Sequence, residues 1–142
     1  MKLIDTNVLL YAVNADSPEH EVARASIEEG LSGDAGVGFA WLALVGFVRL
    51  ATRRGILPHP LGLDDALAVV DDWLGAPQAR LLEATPRHWP LLRRLLVGAG
   101  TAGNLSNDAH LAALAIEHGA TLVSFDRDFE RFAGLRFELL QA

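Results

Sequence analysis

The chain has no cysteine, which removes disulfide bridges, thiolate nucleophiles and cysteine-type zinc sites together. It is nearly without lysine as well. Lys2 is the single one, so the positive charge is carried by arginine, whose planar fork binds phosphate bidentately. No long apolar run is present: the longest uncharged stretch, residues 35–48, falls short of the ~20 apolar residues a spanning helix needs and reads as buried core. The N-terminus passes from Met1-Lys2 straight into a strand-like segment with no apolar leader or small-residue cleavage site, so no membrane association is expected and the compartment read is cytoplasmic. The five histidines show no paired, zinc-type spacing. Repeats, low-complexity tracts and linkers are also missing.

What remains is the composition of a packed protein. At 142 residues the length fits a single domain, 1–142, that buries about two-thirds of its unfolded surface. With 51% hydrophobic and 21% charged residues, the balance is globular rather than disordered. A net charge of −6 argues against long, non-specific tracking of nucleic acid but leaves a small RNA target open.

Strand-like and helix-like segments alternate. Residues 3–5 read as a strand and 8–13 as a short helix after the Thr6-Asn7 turn. Ser17-Pro18 has the order of N-cap then first-turn proline for a second helix that Gly30 would close. Strands are expected at 37–39, 80–83, 121–125 and 136–140, with helices at 41–53, 63–74 and 87–97 and a helical turn at 127–132. Helix 41–53 places Trp41, Leu44, Val45 and Val48 on one apolar face, and Gly55 follows its end. Trp41, Trp73 and Trp89 fall in helical patterns and read first as core. After a polar turn at 104–107, the segment DAHLAALAIEHG is the strongest helix, capped by Ser106 or Asn107 and stopped at Gly119. This order favours an α/β fold with a parallel sheet covered on both faces.

Three acids stand at similar boundaries in that pattern. Asp5 ends the first strand, Asp108 opens the strongest helix, and Asp126 follows the strand TLVSF. Each has a plain alternative: Asp5 as a turn or cap residue, Asp108 as a favourable charge in a helix's first turn, Asp126 as the cap of the turn after it. Together they outline an oxygen-rich cage at the carboxyl edge of a sheet, where like charges repel unless a cation or proton bridges them. Mg²⁺, or Mn²⁺ in its place, suits an all-oxygen set. His118, in the last turn before Gly119, reads as a helix-terminal cation, and His110 as a half-buried or surface residue. Arg49, Arg53 and Arg54 form either a phosphate-facing edge or a solvated helical end, and Arg87, Arg93 and Arg94 carry the same pair of readings.

The segments LIDTNVLLYA, GFVRLATRRGIL, GNLSNDAHLAALAIEHGA and TLVSFDRDFERF, in this order and across essentially the whole chain, resemble the PIN-domain family, and within it the VapC toxins of bacterial toxin–antitoxin pairs. The resemblance implies a three-layer α/β/α sandwich with a central, mainly parallel sheet. It also implies a Mg²⁺- or Mn²⁺-dependent endoribonuclease whose catalytic and metal-binding acids correspond to Asp5, Asp108 and Asp126. Thr6 and Ser124 match small hydroxyl positions that support such a site, with Asn7, Asp128 and Arg49 as further supporting or substrate-binding positions. A homodimer neutralised by a small VapB-like antitoxin is implied too, and a basic residue inserted by that partner would suit the acids electrostatically.

One position departs from the family pattern. Many members carry a glutamate three residues before the central arginine, where this chain has Gly46 before Arg49. The expectation is one firmly held metal, with a second recruited by substrate phosphate. Two other functions compete. A catalytically silent module that binds RNA or protein gains weight from Gly46. An aspartyl phosphatase needs an acid two residues after its nucleophile, and that position is Asn7.

Overall fold

The computed structural model describes residues 1–100 and 102–142, apart from the side chain of Asn104. Its described elements are β1 (Lys2–Ile4), α1 (Thr6–Ala12), α2 (His20–Ser32), β2 (Val37–Phe39), α3 (Trp41–Ala51), α4 (Leu63–Gly75), β3 (Ala79–Leu81), α5 (His88–Ala99), α6 (Ser106–His118), β4 (Thr121–Ser124) and β5 (Phe137–Leu139). Single 3₁₀ turns occupy Gly103–Leu105 and Arg127–Arg131. The five described strands form one parallel sheet in the order β3-β2-β1-β4-β5.

Alternation along the strands produces the three layers. Leu3 and Leu122 point to one face, where they meet Leu95, Ala109, Ala112 and Phe129 from α5, α6 and the turn after β4. Ile4 and Val123, one residue on, point to the other and pack against Val8, Ile27, Phe47 and Ala66 of α1 to α4. Each strand therefore carries apolar residues at successive positions, Leu3-Ile4 and Leu122-Val123, as a sheet buried on both faces requires. The expected α/β/α sandwich is the fold observed, and its sheet is parallel throughout.

Several local expectations need correction. Ser17-Pro18 does not open α2. Ser17 Oγ is engaged by the Glu19 carboxylate and backbone N–H in a turn, and the helix starts at His20. Gly30 does not close it either. A Cβ there would lie 2.0 Å from Val37 Cγ2, so Gly30 lets α2 approach β2 closely, and the helix continues to Ser32. Neither Ser106 nor Asn107 caps α6, whose preceding turn runs into it with no side-chain cap. The stop at Gly119 holds, since that residue takes φ +64, a conformation glycine adopts without a Cβ clash. Trp73 is half-buried against the core, stacking on Phe39 and meeting Phe47 edge-on. Trp41 and Trp89 are not: they are 51% and 64% exposed. The stripe of Trp41, Leu44, Val45 and Val48 along α3 buries Leu44, but Trp41 and Val45 remain on the surface beside Leu67 of α4.

Candidate metal centre

The chain reverses direction of sheet growth at β1. From β1 the sequence adds β2 and then β3 on one side, and later returns to add β4 on the other. Such a switch point leaves a crevice at the carboxyl ends of the two central strands. Ile4 lies opposite Val123 in that pairing, so Asp5 emerges next to Ser124.

Asp5 is buried, at 9% exposure, and both of its oxygens are engaged. Oδ1 accepts from the Thr6 backbone N–H at 2.8 Å, which makes Asp5 the N-cap of α1 and explains why that helix begins at Thr6 rather than at residue 8. Oδ2 accepts from the Ser124 hydroxyl at 2.7 Å. A carboxylate oxygen has two lone pairs, so capping leaves Asp5 able to hold a cation as well. The two readings of Asp5 are compatible. Burial pushes its carboxyl up, the Ser124 and Thr6 hydrogen bonds oppose this, and the charge of Asp126 adds to it.

Ser124 is the hub of the support. Fully buried, it also accepts from the Asp126 backbone N–H at 3.0 Å and from Asn7 Nδ2 at 3.1 Å. Asn7 Oδ1 in turn accepts from the Phe125 N–H at 3.3 Å. Asn7 thus ties the start of α1 to the end of β4, a positioning role that leaves no acid where an aspartyl phosphatase would need one. Thr6 Oγ1 donates to the Ala43 carbonyl of α3 at 3.3 Å.

Asp108 comes from the first turn of α6, and Asp126 and Asp128 flank the start of the turn after β4, with Asp126 Oδ1 accepting from the Asp128 N–H at 2.9 Å. One carboxylate oxygen from each of these three residues lies within 4.8 Å of the others. Burial, followed by the charges of Asp5, Asp126 and Asp128, pushes the Asp108 carboxyl up to about 6, and Arg131 relieves it in part. Four acids therefore share one field, with Asp5 beside the tightest three. The spacing Asp126-x-Asp128 was the available signal that Asp128 belongs among them. The donor set is entirely oxygen and its charges repel, so the residues fit a hard divalent cation.

A cleft of about 300 Å³ opens on two of these acids, Asp5 and Asp108, and is lined also by Thr6, Asn107 and, from α3, Leu42, Gly46 and Arg49. Arg49 thus faces the acids, whereas Arg53 and Arg54 lie beyond α3. Gly46 sits against Thr6: a Cβ there would come 3.1 Å from Thr6 Oγ1 and 3.3 Å from its Cγ2. A side chain at this position would need Thr6 to give by a few tenths of an ångström, and in this chain α3 contributes close packing and an arginine instead.

His110 is half-buried, as expected, but the histidines make contacts that the sequence did not signal. His118 Nε2 binds the Glu83 carbonyl at 2.7 Å rather than serving its own helix end. His88 and His110, read as unpaired, are in contact at 2.9 Å, and His88 Nδ1 is engaged by the enclosed carboxylate of Glu117. Their separations of 22 and 29 residues carry no periodic signal in the sequence.

The chain matches the PIN domain over residues 2–135. It belongs to the PIN-domain family. Among related PIN proteins, the chain is 52% identical over 138 residues to the ribonuclease VapC37 of Mycobacterium tuberculosis, covering 97% of this chain and 96% of that one. It is 42% identical over 137 residues to the ribonuclease VapC33 of the same species, with 96% of each covered. The PIN fold is shared with the VapBC2 complex of Rickettsia felis bound to a promoter DNA fragment, at TM-score 0.70 and 20% identity over 99% of this chain and 98% of that one. It is shared too with M. tuberculosis VapC20, a toxin that cleaves the sarcin–ricin loop, at TM-score 0.67 and 22% identity over 96% and 99%.

Proposed function

We propose that this PIN domain is the toxin of a VapBC-type pair, an endoribonuclease that depends on Mg²⁺ or Mn²⁺. The observation that carries the proposal is the convergence of Asp108, Asp126 and Asp128 within 4.8 Å, beside Asp5, at the switch point of the sheet. The ribonuclease names of relatives at 52% and 42% identity support the substrate class.

In this reading Asp5, Asp108 and Asp126 hold the ion, with Asp128 as a further oxygen donor. A bound Mg²⁺ supplies a more acidic water and offsets charge growing on the phosphate oxygens. The chain's own residues do the rest. Ser124 fixes the rotamer of Asp5 and the backbone of Asp126, and Asn7 locks both to α1. Arg49 presents a guanidinium to the cleft, where it binds the substrate phosphodiester. Without an acid at position 46, these carboxylates would hold one ion firmly and leave the binding of a second to substrate phosphate.

A VapB-like antitoxin is the proposed partner, and a homodimer the proposed assembly. The apolar strip of Trp41, Val45 and Leu67 between α3 and α4 supports a partner surface, because Val45 and Arg49 belong both to it and to the acidic cleft. A segment lying on the strip reaches the acids without leaving the surface. The cytoplasm is the proposed compartment. Among the described residues, no helix is long and apolar enough to cross a membrane.

The test is incubation of the purified protein with total RNA in Mg²⁺, in Mn²⁺ and in EDTA, alongside Asp5→Asn. Discrete fragments that need metal and vanish in the variant are expected. Equal cleavage in EDTA or by Asp5→Asn would refute the mechanism. RNA bound but never cut would favour the silent module, the second reading that Gly46 keeps open.

A further inference from the structure

An acidic protein that cuts RNA needs a place for the phosphates next to the one it attacks. A cleft of about 320 Å³ lies between α5 and the turn Arg127–Arg131, lined by Arg94, Leu95, Gly98, Arg131, Ala133 and Gly134. Two guanidinium groups line it and no carboxylate does.

Of the nine arginines elsewhere, five are occupied, while Arg49, Arg53, Arg54 and Arg93 have no ion pair or hydrogen bond among the described residues. Arg24 pairs with Glu21 and Glu28, Arg127 with Glu130, and Arg80, Arg87 and Arg136 donate to backbone carbonyls. Among the described residues Arg94 has neither an ion pair nor a hydrogen bond. Its Nη2 lies over Gly134, 3.7 Å from where a Cβ would stand, and Gly98, one turn further along α5, adds no side chain beside it. The space in front of the guanidinium is therefore open.

Arg131 connects this cleft to the acids. Its Nη2 is 3.5 Å from Asp128 Oδ1, and its charge acts on Asp108. The cationic cleft thus begins one side chain away from the tightest group of carboxylates. Resting on the nuclease reading above, we infer that Arg94 and Arg131 form a subsite for an RNA backbone phosphate neighbouring the scissile one. Arg131 holds the end nearer the acids, and Arg94 the end farther from them. Phosphate contacts of this kind fix the register of a strand and carry no base sequence.

Arg94 is the clean probe, because changing Arg131 would also disturb Asp128. The experiment measures binding of a fluorescein-labelled, mixed-sequence single-stranded RNA 20-mer by anisotropy, in an Asp108→Asn background that leaves the strand uncut. Arg94→Ala is expected to weaken binding about fivefold to tenfold at low salt and to lower the slope of log affinity against log salt by about 0.7. Arg94→Lys should recover most of the affinity, since a point charge still attracts phosphate. Inorganic phosphate at matched ionic strength should leave RNA binding unchanged. Affinity and salt slope unaltered in Arg94→Ala would overturn the subsite. So would competition by free phosphate that disappears in Arg94→Ala, which would assign the cleft to a small anion. A parallel total-RNA digestion by the unsubstituted protein separates the two levels: metal-dependent cleavage with unaltered Arg94→Ala binding overturns only the subsite, whereas no cleavage at all overturns the nuclease reading and the subsite with it.

Discussion

Helix α6 carries an acid near each end, and the two behave in opposite ways. Asp108 sits in the first turn, where the helix dipole favours a carboxylate, yet its carboxyl is pushed up to about 6. Glu117 sits in the last turn, where the dipole opposes it, and its side chain is fully enclosed. Burial pushes Glu117 up, yet hydrogen bonds from the Thr85 hydroxyl at 2.6 Å, from His88 and from the Thr85 N–H at 2.8 Å outweigh burial and hold it below the usual range. Immediate partners decide, not position in the helix. Glu117 faces donors and is complete within the fold, tying α6 to α5. Asp108 faces Asp5, Asp126 and Asp128, and within the chain Arg131 relieves it only in part.

The comparison breaks most visibly at the Asp108 end. Asp108→Asn and Asp126→Asn should each reduce metal-dependent RNA cleavage by about 100-fold or more, while the metal-free protein melts at the same temperature or higher because a repulsive charge is gone. Cleavage retained with a lowered melting point would show these acids to be structural. At the other end, Glu117→Ala should cost about 3 kcal/mol by removing one member of a buried, hydrogen-bonded pair, read in urea titration as a lower midpoint. The folded fraction should still cut RNA. Loss of cleavage at unchanged stability would place Glu117 in the site instead.

Smaller changes sharpen the contrast. Ser124→Ala removes the hydroxyl shared by Asp5 and Asp126 without touching a proposed ligand, so Mg²⁺ affinity, measured calorimetrically, should fall about tenfold. The least effect, and the most telling, is on stability against pH. Asp108 binds its proton more tightly folded than unfolded, so its contribution is present at low pH and is lost as pH rises from about 4 through about 6. Glu117 has the opposite sign, and its contribution is lost as pH falls below about 4.5. Thermal melts of the metal-free protein should therefore decline gently between pH 4 and 6, and Mg²⁺ should raise the melting point at pH 7 far more than at pH 4.5. A metal response independent of pH would contradict the assignment of Asp108.

The same contrast shows how much of the molecule was legible in its sequence. Alternating strand and helix patterns located the sheet, and the acids at strand and helix boundaries pointed to one edge of it, because backbone periodicity and capping are local properties. What failed to show was settled at long range. Trp41 has a helical face around it but no layer to cover it, since α3 and α4 leave their shared groove open. Gly30 looks like a helix stop, and only the nearness of Val37 shows its use. His88, His110 and Glu117 meet because α5 and α6 pack side by side, and nothing within either segment announces it. Asp128 was legible but underweighted, since its neighbour Asp126 had an adequate explanation as a cap.

The order of strands in the sheet has a further consequence, in time rather than in space. β1 lies at the centre, but its partner β4 is made only after nearly all the other elements, and Asp126 and Asp128 come later still. A growing chain can bring together α1 to α4 and three of the five described strands while Asp5 waits without company. Long-range parallel pairing of this kind forms slowly and late. Under the proposed activity, a ribosome making this protein does not face a working nuclease until it has passed β4 and the turn that carries Asp128.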